Sequence, residues 1–550
     1  MKSFQKYSSS LLPASFALLF AWMVVSSLRP ISNVDFWWHL ATGRYIAKTG
    51  IVPTVDIFSF TCAGRRWIDG YWLYELILFG LYSLGGFTAI IVGKSLFLAL
   101  IFFVLRQRLC DSKISWIWQL LFLQGTFMAA ALGSQGWPER ADLVTLFFLV
   151  LLFWHLDRDY GTHRWNKSRW LWPAAFTLWA NSHPGFILGL AAAGLYVGTE
   201  SLCHGRSLRQ TVLWLCACFM GTLLNPHGIV LYNSLYEGTR NSSFIGEWFP
   251  PAWQHFHIFW ICIFVFWFII AWQIWKGNYG ILSRLPGCLF FTWLSIRHAL
   301  GVPFFLLCIF PYALEFFSRS AVLAVVDRFV EQHVVPVSAV LMMLLFTCLI
   351  CAVGRAGTGV DFRQLPAKAC EFISSEKLGG RFFNDYNFGS YWIWRFGGYP
   401  PDFIDGRYPT VEGYRELNNH LVQARNGAPE QWNTFLNQYG ITAALVAYPA
   451  PSSIVSIFHD YFSASSWALV YWDDLSAIFV KRTPDYQKTI SAYEFRHIYP
   501  DMSAAVFSQY VSQISPSQRS RLRENIERNA RLHPESRRTQ SFLALLDQVK

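Results

Sequence analysis

Residues 10–45 read SLLPASFALLFAWMVVSSLRPISNVDFWWHLATGRY, and Lys2 and Lys6 precede them. The stretch joins an apolar run over 10–28 to an acid, Asp35, and then to a cluster of aromatics. About 20 apolar residues cross a bilayer as a helix. A cleaved signal peptide competes with a span here. The run is long for a signal peptide and lacks a clean small-x-small cleavage site. It reads as a retained first span with its N-terminus inside, which puts Asp35 on the opposite side of the membrane.

The rest of the chain continues the pattern. Of 550 residues, 53% are hydrophobic, 18% aromatic and only 14% charged, against roughly 25% charged in ordinary soluble domains. Together with a mean hydropathy of +0.29, this excludes a disordered chain, a coiled coil and an ordinary cytosolic enzyme. Further spans are expected near 87–105, 114–133, 141–156, 170–182, 185–202, 211–224, 258–275, 285–296, 299–317 and 335–354, about 11 in all. An odd number leaves the C-terminus outside. The net charge of +11 fits this topology rather than a nucleic-acid surface. Expected inside loops carry Arg106, Arg108 and Lys113; Arg158, Arg164, Lys167 and Arg169; Arg206 and Arg209; Lys276 and Arg284; Arg319 and Arg328. Short outside loops carry only Arg140, Arg240 and Arg297. Most of the eleven cysteines sit in apolar runs. Cys62 and Cys370 are the two placed outside, with no sign that they pair and no zinc spacing.

The first outside loop, 29–86, is too long for a turn. Trp37, Trp38, Tyr45, Trp67, Tyr71, Trp72 and Tyr74 suit two helices lying at the headgroup level, the second ending at Gly85-Gly86. Polar residues at span ends gather on this same side: Asp35 and His39, Asp56, Glu139, Arg140 and Asp142, Asn181 and His183, Asn225 and His227, Glu247, Arg297 and His298. Ionisable groups concentrated on one face mark a site by default. Asp35 against an apolar wall suits a general base. Arg140 and Arg297 suit a phosphate, with His39, His183 and His298 available to either task and Lys94 within reach of a lipid phosphate.

Each of these has a plainer reading. Asp35 can cap the following helix, and His39 can pack in an aromatic interface. Arg140 can anchor a span end, and Asn181-Ser-His183-Pro and Asn225-Pro-His227-Gly have the chemistry of span-ending turns. Lys94 can snorkel.

The segments Asp35-Phe-Trp-Trp-His-Leu, Pro53-x-x-Asp56-x-Phe-Ser-Phe-Thr, Trp179-Ala-Asn-Ser-His183, Leu224-Asn-Pro-His-Gly228 and Phe403-Ile-Asp-Gly-Arg407 carry a resemblance. Over roughly 10–480 the chain resembles the GT-C superfamily of membrane glycosyltransferases, and within it a group of bacterial proteins with this architecture. The resemblance implies a fold of many spans with a large first outside loop. It implies transfer of a sugar from a polyprenyl-phosphate-linked donor, at the non-cytoplasmic face, to a glycan, lipid or protein acceptor. The membrane would be the bacterial inner membrane, with the N-terminus cytoplasmic and the C-terminus periplasmic. It maps the first-loop catalytic acid to Asp35. That acid often has an acidic neighbour in the superfamily, whereas Phe36 follows here, so Asp56 and Glu139 stand as candidate second acids. The donor phosphate would meet Arg140, Arg297 or His298. A divalent metal stays open, with no ligand set fixed.

Past residue 356 the composition changes. Helices near 366–378, 411–424 and 430–438 alternate with strands at 381–385, 401–405, 441–447, 467–472 and 475–480, which argues a small outside α/β domain over 356–485. Residues 1–355 form the membrane domain and 486–550 a basic helical tail, similar to a helical hairpin of the tetratricopeptide kind without a full repeat array. Asp405 and Arg407, at a strand end, are candidates for binding the acceptor or for a structural Asp-Gly-Arg turn. No nucleotide-binding glycine motif and no nucleic-acid motif is present. A transporter or flippase and a non-enzymatic scaffold remain as alternatives. The transporter calls for polar groups through the membrane depth and paired halves, and the chain displays neither.

Overall fold

The computed structural model describes residues 2–133, 137–158, 167–204, 207–233, 248–318, 320–407, 410–448 and 457–548. Arg164, Arg206, Arg240, Glu247, Arg319 and the Asn241-Ser-Ser243 glycosylation sequon lie outside the described residues. The chain divides into two compact units. A helical unit holds Met1–Asn33, Gly43–Val52 and Asp69–Val360, and a sheet unit holds Val34–Thr42, Pro53–Ile68 and Asp361–Lys550. Two pieces of the first loop, which the sequence groups with the membrane part, are thus packed into the sheet unit.

The helical unit follows the apolar runs. Its helices are α1 (Lys2–Ser27), the end of α2 (Phe36–Thr49), α3 (Trp72–Asp111), α4 (Trp116–Gly133), α5 (Asp142–Arg158), α6 (Trp172–Ala180), α7 (Phe186–His204) and α8 (Leu208–Thr222). Then come α9 (Trp253–Trp275), α10 (Leu285–Arg297), α11 (Ala299–Ser318), α12 (Ala321–Gln332) and α13 (Val334–Val353). The helix α1 packs on α13 and α3, α5 on α3 and α7, and α6 on α8. Among the described residues five helices, α3, α7, α9, α11 and α13, are long and apolar enough to cross a membrane. The chain is a multi-pass membrane protein on that ground. Each remaining expected run has a helix in it, but these do not meet the same measure of length and hydropathy. At about 1.5 Å per residue, the 9 residues of α6 rise only about 14 Å.

The expected interfacial helix and second span are one helix. The 40-residue α3 is broken at Gly85 and Gly86, where Gly86 takes φ 63° and ψ −152°, a conformation that side chains resist. Gly85-Gly86 therefore marks a kink rather than an end. In α11 a π turn covers Phe305–Ile309. Such a turn disturbs the carbonyl ladder, and the guanidinium of Arg108 donates to the carbonyls of Cys308 at 2.7 Å and Leu307 at 3.4 Å.

The sheet unit opens with α14 (Ala367–Ser375), β1 (Phe382–Asn384), α15 (Tyr386–Phe396), α16 (Tyr414–Asn426) and α17 (Pro429–Gln438). It continues with β2 (Ala443–Ala447), α18 (Ile457–Tyr461), β3 (Trp467–Trp472), β4 (Ser476–Lys481) and α19 (Gln487–Tyr493). The strand order is β1-β2-β4-β3, with β1 parallel to β2 and the other pairs antiparallel. β2 to β4 are buried almost throughout, which explains their unbroken apolar sequence. The expected strand at 401–405 forms no ladder and makes a single bridge, Asp402 to Ser59. Pro400 and Pro401 bring no N–H. The side-chain amide of Asn384 takes the pairing groups instead, donating to the Ile404 carbonyl and accepting from the Phe403 N–H, both at 2.7 Å. The tail helices α20 (Ala504–Gln513), α21 (Pro516–Leu532) and α22 (Arg537–Gln548) belong to this unit, held by buried Phe507, Leu522, Ile526 and Phe542.

Candidate functional site

Asp35 stands one residue before α2, half-buried, within the sheet unit. Its neighbour there is the backbone of Gly406. A Cβ at position 406 would lie 2.3 Å from Asp35 Oδ1, 3.1 Å from Ser390 Oγ and 3.2 Å from Trp38 Nε1. Only a glycine lets this loop pass so close to the carboxylate. His39 is buried one turn on, its ring 3.6 Å from that of Trp38.

The loop carrying Gly406 is locked from within the same unit. Arg407 is wholly buried, and its guanidinium makes two hydrogen bonds to Asp405, at 2.9 and 2.7 Å. It also makes an ion pair with Asp56 at 2.7 Å. The guanidinium lies over the rings of Trp67 and Phe58, 4.6 and 4.9 Å from their centroids. Tyr414 donates to Asp405 at 2.7 Å. Asp56 also accepts from the N–H of Phe58 at 3.0 Å and from the hydroxyl of Ser59. Residues 53–68 are thereby clipped to 402–414, with backbone bonds from Ile68 N to Thr410 O and from Glu412 N to Arg66 O, at 3.0 and 2.8 Å. Asp405 and Arg407, the candidate acceptor-binding residues, are both wholly buried and hold the loop. Asp56, the candidate second acid, is paired with Arg407.

Sequence reasoning passed over Asp402. It is wholly buried beside this clamp. Burial, then the Asp405 charge, holds its carboxyl well above the usual carboxylate range. Burial works against ionising Asp405 too, but Arg407 outweighs it and holds that carboxyl below the ordinary value. The carboxylates of Asp56 and Asp405 therefore face one guanidinium, while the third acid, Asp402, is the hardest of the three to ionise. Nothing in the sequence singles out Asp402 from the other aspartates of the segment, because its neighbours come from residues 56 and 405–407.

The helical unit gathers a second group. Lys94 Nζ bonds Glu139 at 2.7 Å, both buried. The pair commits Lys94, which sequence alone leaves free to snorkel, and satisfies Glu139. Half-buried Arg140 follows, with Asp142 at the start of α5. Tyr74, in the first turn of α3, lies within electrostatic reach of Glu75, Glu139, Arg140 and Asp142. His183 faces the same group. Its Nδ1 accepts from the Thr145 hydroxyl at 2.7 Å and the Gly185 N–H at 2.9 Å, while Thr145 accepts from Trp179 Nε1 at 2.9 Å. The ring thus carries its proton on Nε2. Desolvation, and then the Arg140 charge, push its pKa down to about 3. A Cβ at Gly185 would lie 2.2 Å from Thr145 Oγ1, so the turn needs a glycine.

Asn181 and Asn225 are turn residues. The side chain of Asn181 accepts from Trp72 Nε1 at 2.7 Å and donates to the carbonyls of Thr177 and Leu224, at 2.7 and 2.8 Å. That of Asn225 accepts from the His227 N–H at 2.8 Å. His227 Nε2 donates to the Asp69 carbonyl at 3.1 Å. His298 is half-buried, its Nδ1 donating to the Trp248 carbonyl at 2.7 Å, and Arg297 is exposed at the end of α10. The structure thus brings Arg140, Glu139 and His183 together in one unit, and Asp35, His39, Asp56, Asp405 and Arg407 in the other. Among the described residues no group of three or more His, Cys, Asp or Glu has the arrangement of a metal site.

No protein-family model matches the chain, and no curated protein matches it. Solved structures do. The oligosaccharyltransferase AglB from Archaeoglobus fulgidus, in complex with an inhibitory peptide and a dolichol-phosphate, aligns at 9% identity and a TM-score of 0.54, over 96% of this chain and 86% of that one. The apo oligosaccharyltransferase of the same organism aligns at 8% identity and 0.55, over 79% and 69%. ArnT from Cupriavidus metallidurans bound to undecaprenyl phosphate gives 12% identity and 0.48, over 87% and 99%. At such identities the likeness is one of architecture: this chain shares the fold of the Archaeoglobus fulgidus oligosaccharyltransferase.

Proposed function

We propose that the protein is an inverting glycosyltransferase that moves a sugar from a polyprenyl-phosphate-linked donor to an acceptor at the extracytoplasmic face, with Asp35 as general base. The observation that carries the reading is the position of Asp35. Its carboxyl is half-buried, opens the helix after the first apolar helix, and is braced by the backbone of Gly406. The fold shared with AglB, whose structure holds a dolichol-phosphate, supports the class of donor. The N-terminus would be cytoplasmic and the sheet unit periplasmic, in a bacterial inner membrane.

The chemistry needs little. An acceptor hydroxyl attacks the anomeric carbon as Asp35 takes its proton, and the lipid phosphate leaves with the bonding electrons from the opposite side, inverting the centre. Arg140 would grip that phosphate in charge-assisted bonds, with Arg297 and His298 as further contacts. His183, neutral with its proton on Nε2, would donate a hydrogen bond. His39 stays behind Asp35 in the aromatic packing. General-base help is worth about 10²–10⁴ in rate.

The test is turnover of a panel of polyprenyl-phosphate sugars by purified protein. Asp35→Asn is expected to lose about 10²–10⁴ of the transfer rate while still binding donor. Near-normal transfer by the variant would remove Asp35 from the role. A folded wild type that binds no donor across the panel would return the transporter and the scaffold.

A further inference from the structure

Away from these groups, a cleft of about 500 Å³ opens within the sheet unit, between α14, β3, α19 and the turn from α21 to α22. That volume is in the range of small-molecule sites. Its walls are rings. Phe372 lies 5.2 Å from Tyr471 and 5.1 Å, edge-on, from Tyr493, and His533 lies 5.2 Å edge-on from Tyr471. Phe372, Tyr493 and His533 are only half-buried, so they present surface to the cleft.

The polar groups on this surface are mostly acceptors. Asn529 is wholly buried; its amide donates to Thr539 Oγ1 at 2.8 Å, while its Oδ1 finds no donor among the described residues. A buried oxygen left so costs about 1–3 kcal/mol, which a ligand's donor would recover. The exposed carboxylates of Glu371 and Glu535 line the mouth, the latter paired with Lys368. Burial holds the His533 pKa below its ordinary value, so at neutral pH one of its ring nitrogens accepts as well.

A ligand that fits must offer a flat face of C–H groups to the rings and several O–H or N–H donors to the rim. It must not be an anion, which Glu371 and Glu535 would repel. A pyranose has that chemistry: its axial C–H face stacks on an aromatic ring and its equatorial hydroxyls donate sideways. We propose that this cleft binds a neutral mono- or disaccharide, the sugar end of the acceptor. Its assignment to the acceptor rests on the glycosyltransferase reading; the binding itself does not.

The experiment is saturation-transfer NMR and calorimetry on the purified full chain, with N,N′-diacetylchitobiose and cellobiose as probes and digalacturonate as the anionic control. At least one neutral disaccharide is expected to bind, and digalacturonate to bind at least tenfold more weakly. Tyr493→Ala is expected to weaken the neutral probe at least tenfold. Glu371→Lys, an exposed change that leaves the fold alone, is expected to relieve the discrimination against digalacturonate. Absence of binding by both neutral probes would overturn the proposal, as would equal binding of digalacturonate by the wild type or wild-type behaviour of both variants. Asp35→Asn should bind the probes as the wild type does. A protein that binds chitobiose yet transfers no sugar would sink the glycosyltransferase reading and leave the cleft standing.

Discussion

The two ends of α5 carry two charged groups of opposite character. At its start, Glu139 pairs with Lys94; Asp142 and Arg140 lie with it near Tyr74, and Arg140 keeps part of its surface open. At its end, Asp157 and Glu315 face Arg108 and Arg284, two against two. Asp157 there takes Arg108 at 2.7 Å and the hydroxyls of Tyr196 and Tyr312 at 2.8 and 2.9 Å, while Glu315 takes Arg284 at 3.1 Å. Fifteen residues of helix put the two groups about 22 Å apart. Buried ions are tolerated only when paired and hydrogen-bonded. The group at the end of α5 meets that condition from its own residues and from the carbonyls of the π turn. At the start of α5, part of the Arg140 surface stays open to a ligand.

The contrast is sharpest at the two arginines. Arg108→Leu would strand Asp157 and free the π-turn carbonyls. Breaking a buried pair in this way costs about 3–5 kcal/mol, read as a large drop in the thermal midpoint in detergent. Arg140→Gln is expected to leave that midpoint nearly unchanged and to weaken binding of a polyprenyl phosphate by roughly tenfold to a hundredfold, the worth of a charged hydrogen bond of about 1.5–3 kcal/mol. If the effects were exchanged, with Arg140 needed for folding and Arg108 for the lipid, the division between the two ends of α5 would be reversed.

A smaller effect is expected at Gly406. A methyl group there would meet Asp35 Oδ1 at 2.3 Å, so Gly406→Ala must displace the carboxylate. The clamp of Asp56, Asp405, Arg407 and Tyr414 keeps the loop from yielding. A fall in kcat of about tenfold with unchanged KM for the donor is expected, equal to about 1.4 kcal/mol of barrier. An unchanged kcat would mean that Asp35 is not positioned by this loop.

The parts legible in the sequence were those set by composition and local pattern. Apolar runs locate the helices, and alternation in the C-terminal part locates β2, β3 and β4. The two asparagine turns follow from Asn, Pro and Gly chemistry. What pairing decides was not legible. Asp405 and Arg407 look like ligand groups at a strand end, yet the strand is absent because Asn384, twenty residues earlier, takes its place. Arg108 and Arg284 look like loop cations of the inside face, yet both are buried around Asp157. Lys94 looks like an isolated span lysine until Glu139, 45 residues on, neutralises it. A sequence shows which residues are charged; only the fold shows which charges are already balanced.

The smallest effect concerns His183, and it separates a turn histidine from a titrating one. Its folded pKa is about 3 against an ordinary 6.5. Between those values the unfolded chain binds a proton there and the folded chain does not, so stability rises with pH. The contribution is complete above about pH 6.5 and declines as the pH falls toward 3. In His183→Gln that term is gone, while an acceptor for Thr145 and the Gly185 N–H can be kept. The thermal midpoint of the wild type should therefore fall more steeply than the variant's between pH 7 and 4.5, by a few degrees. Parallel curves would mean that the fold leaves the His183 pKa at its ordinary 6.5, so that it takes up a proton below that pH and stands beside Arg140 as a second cation only in acid.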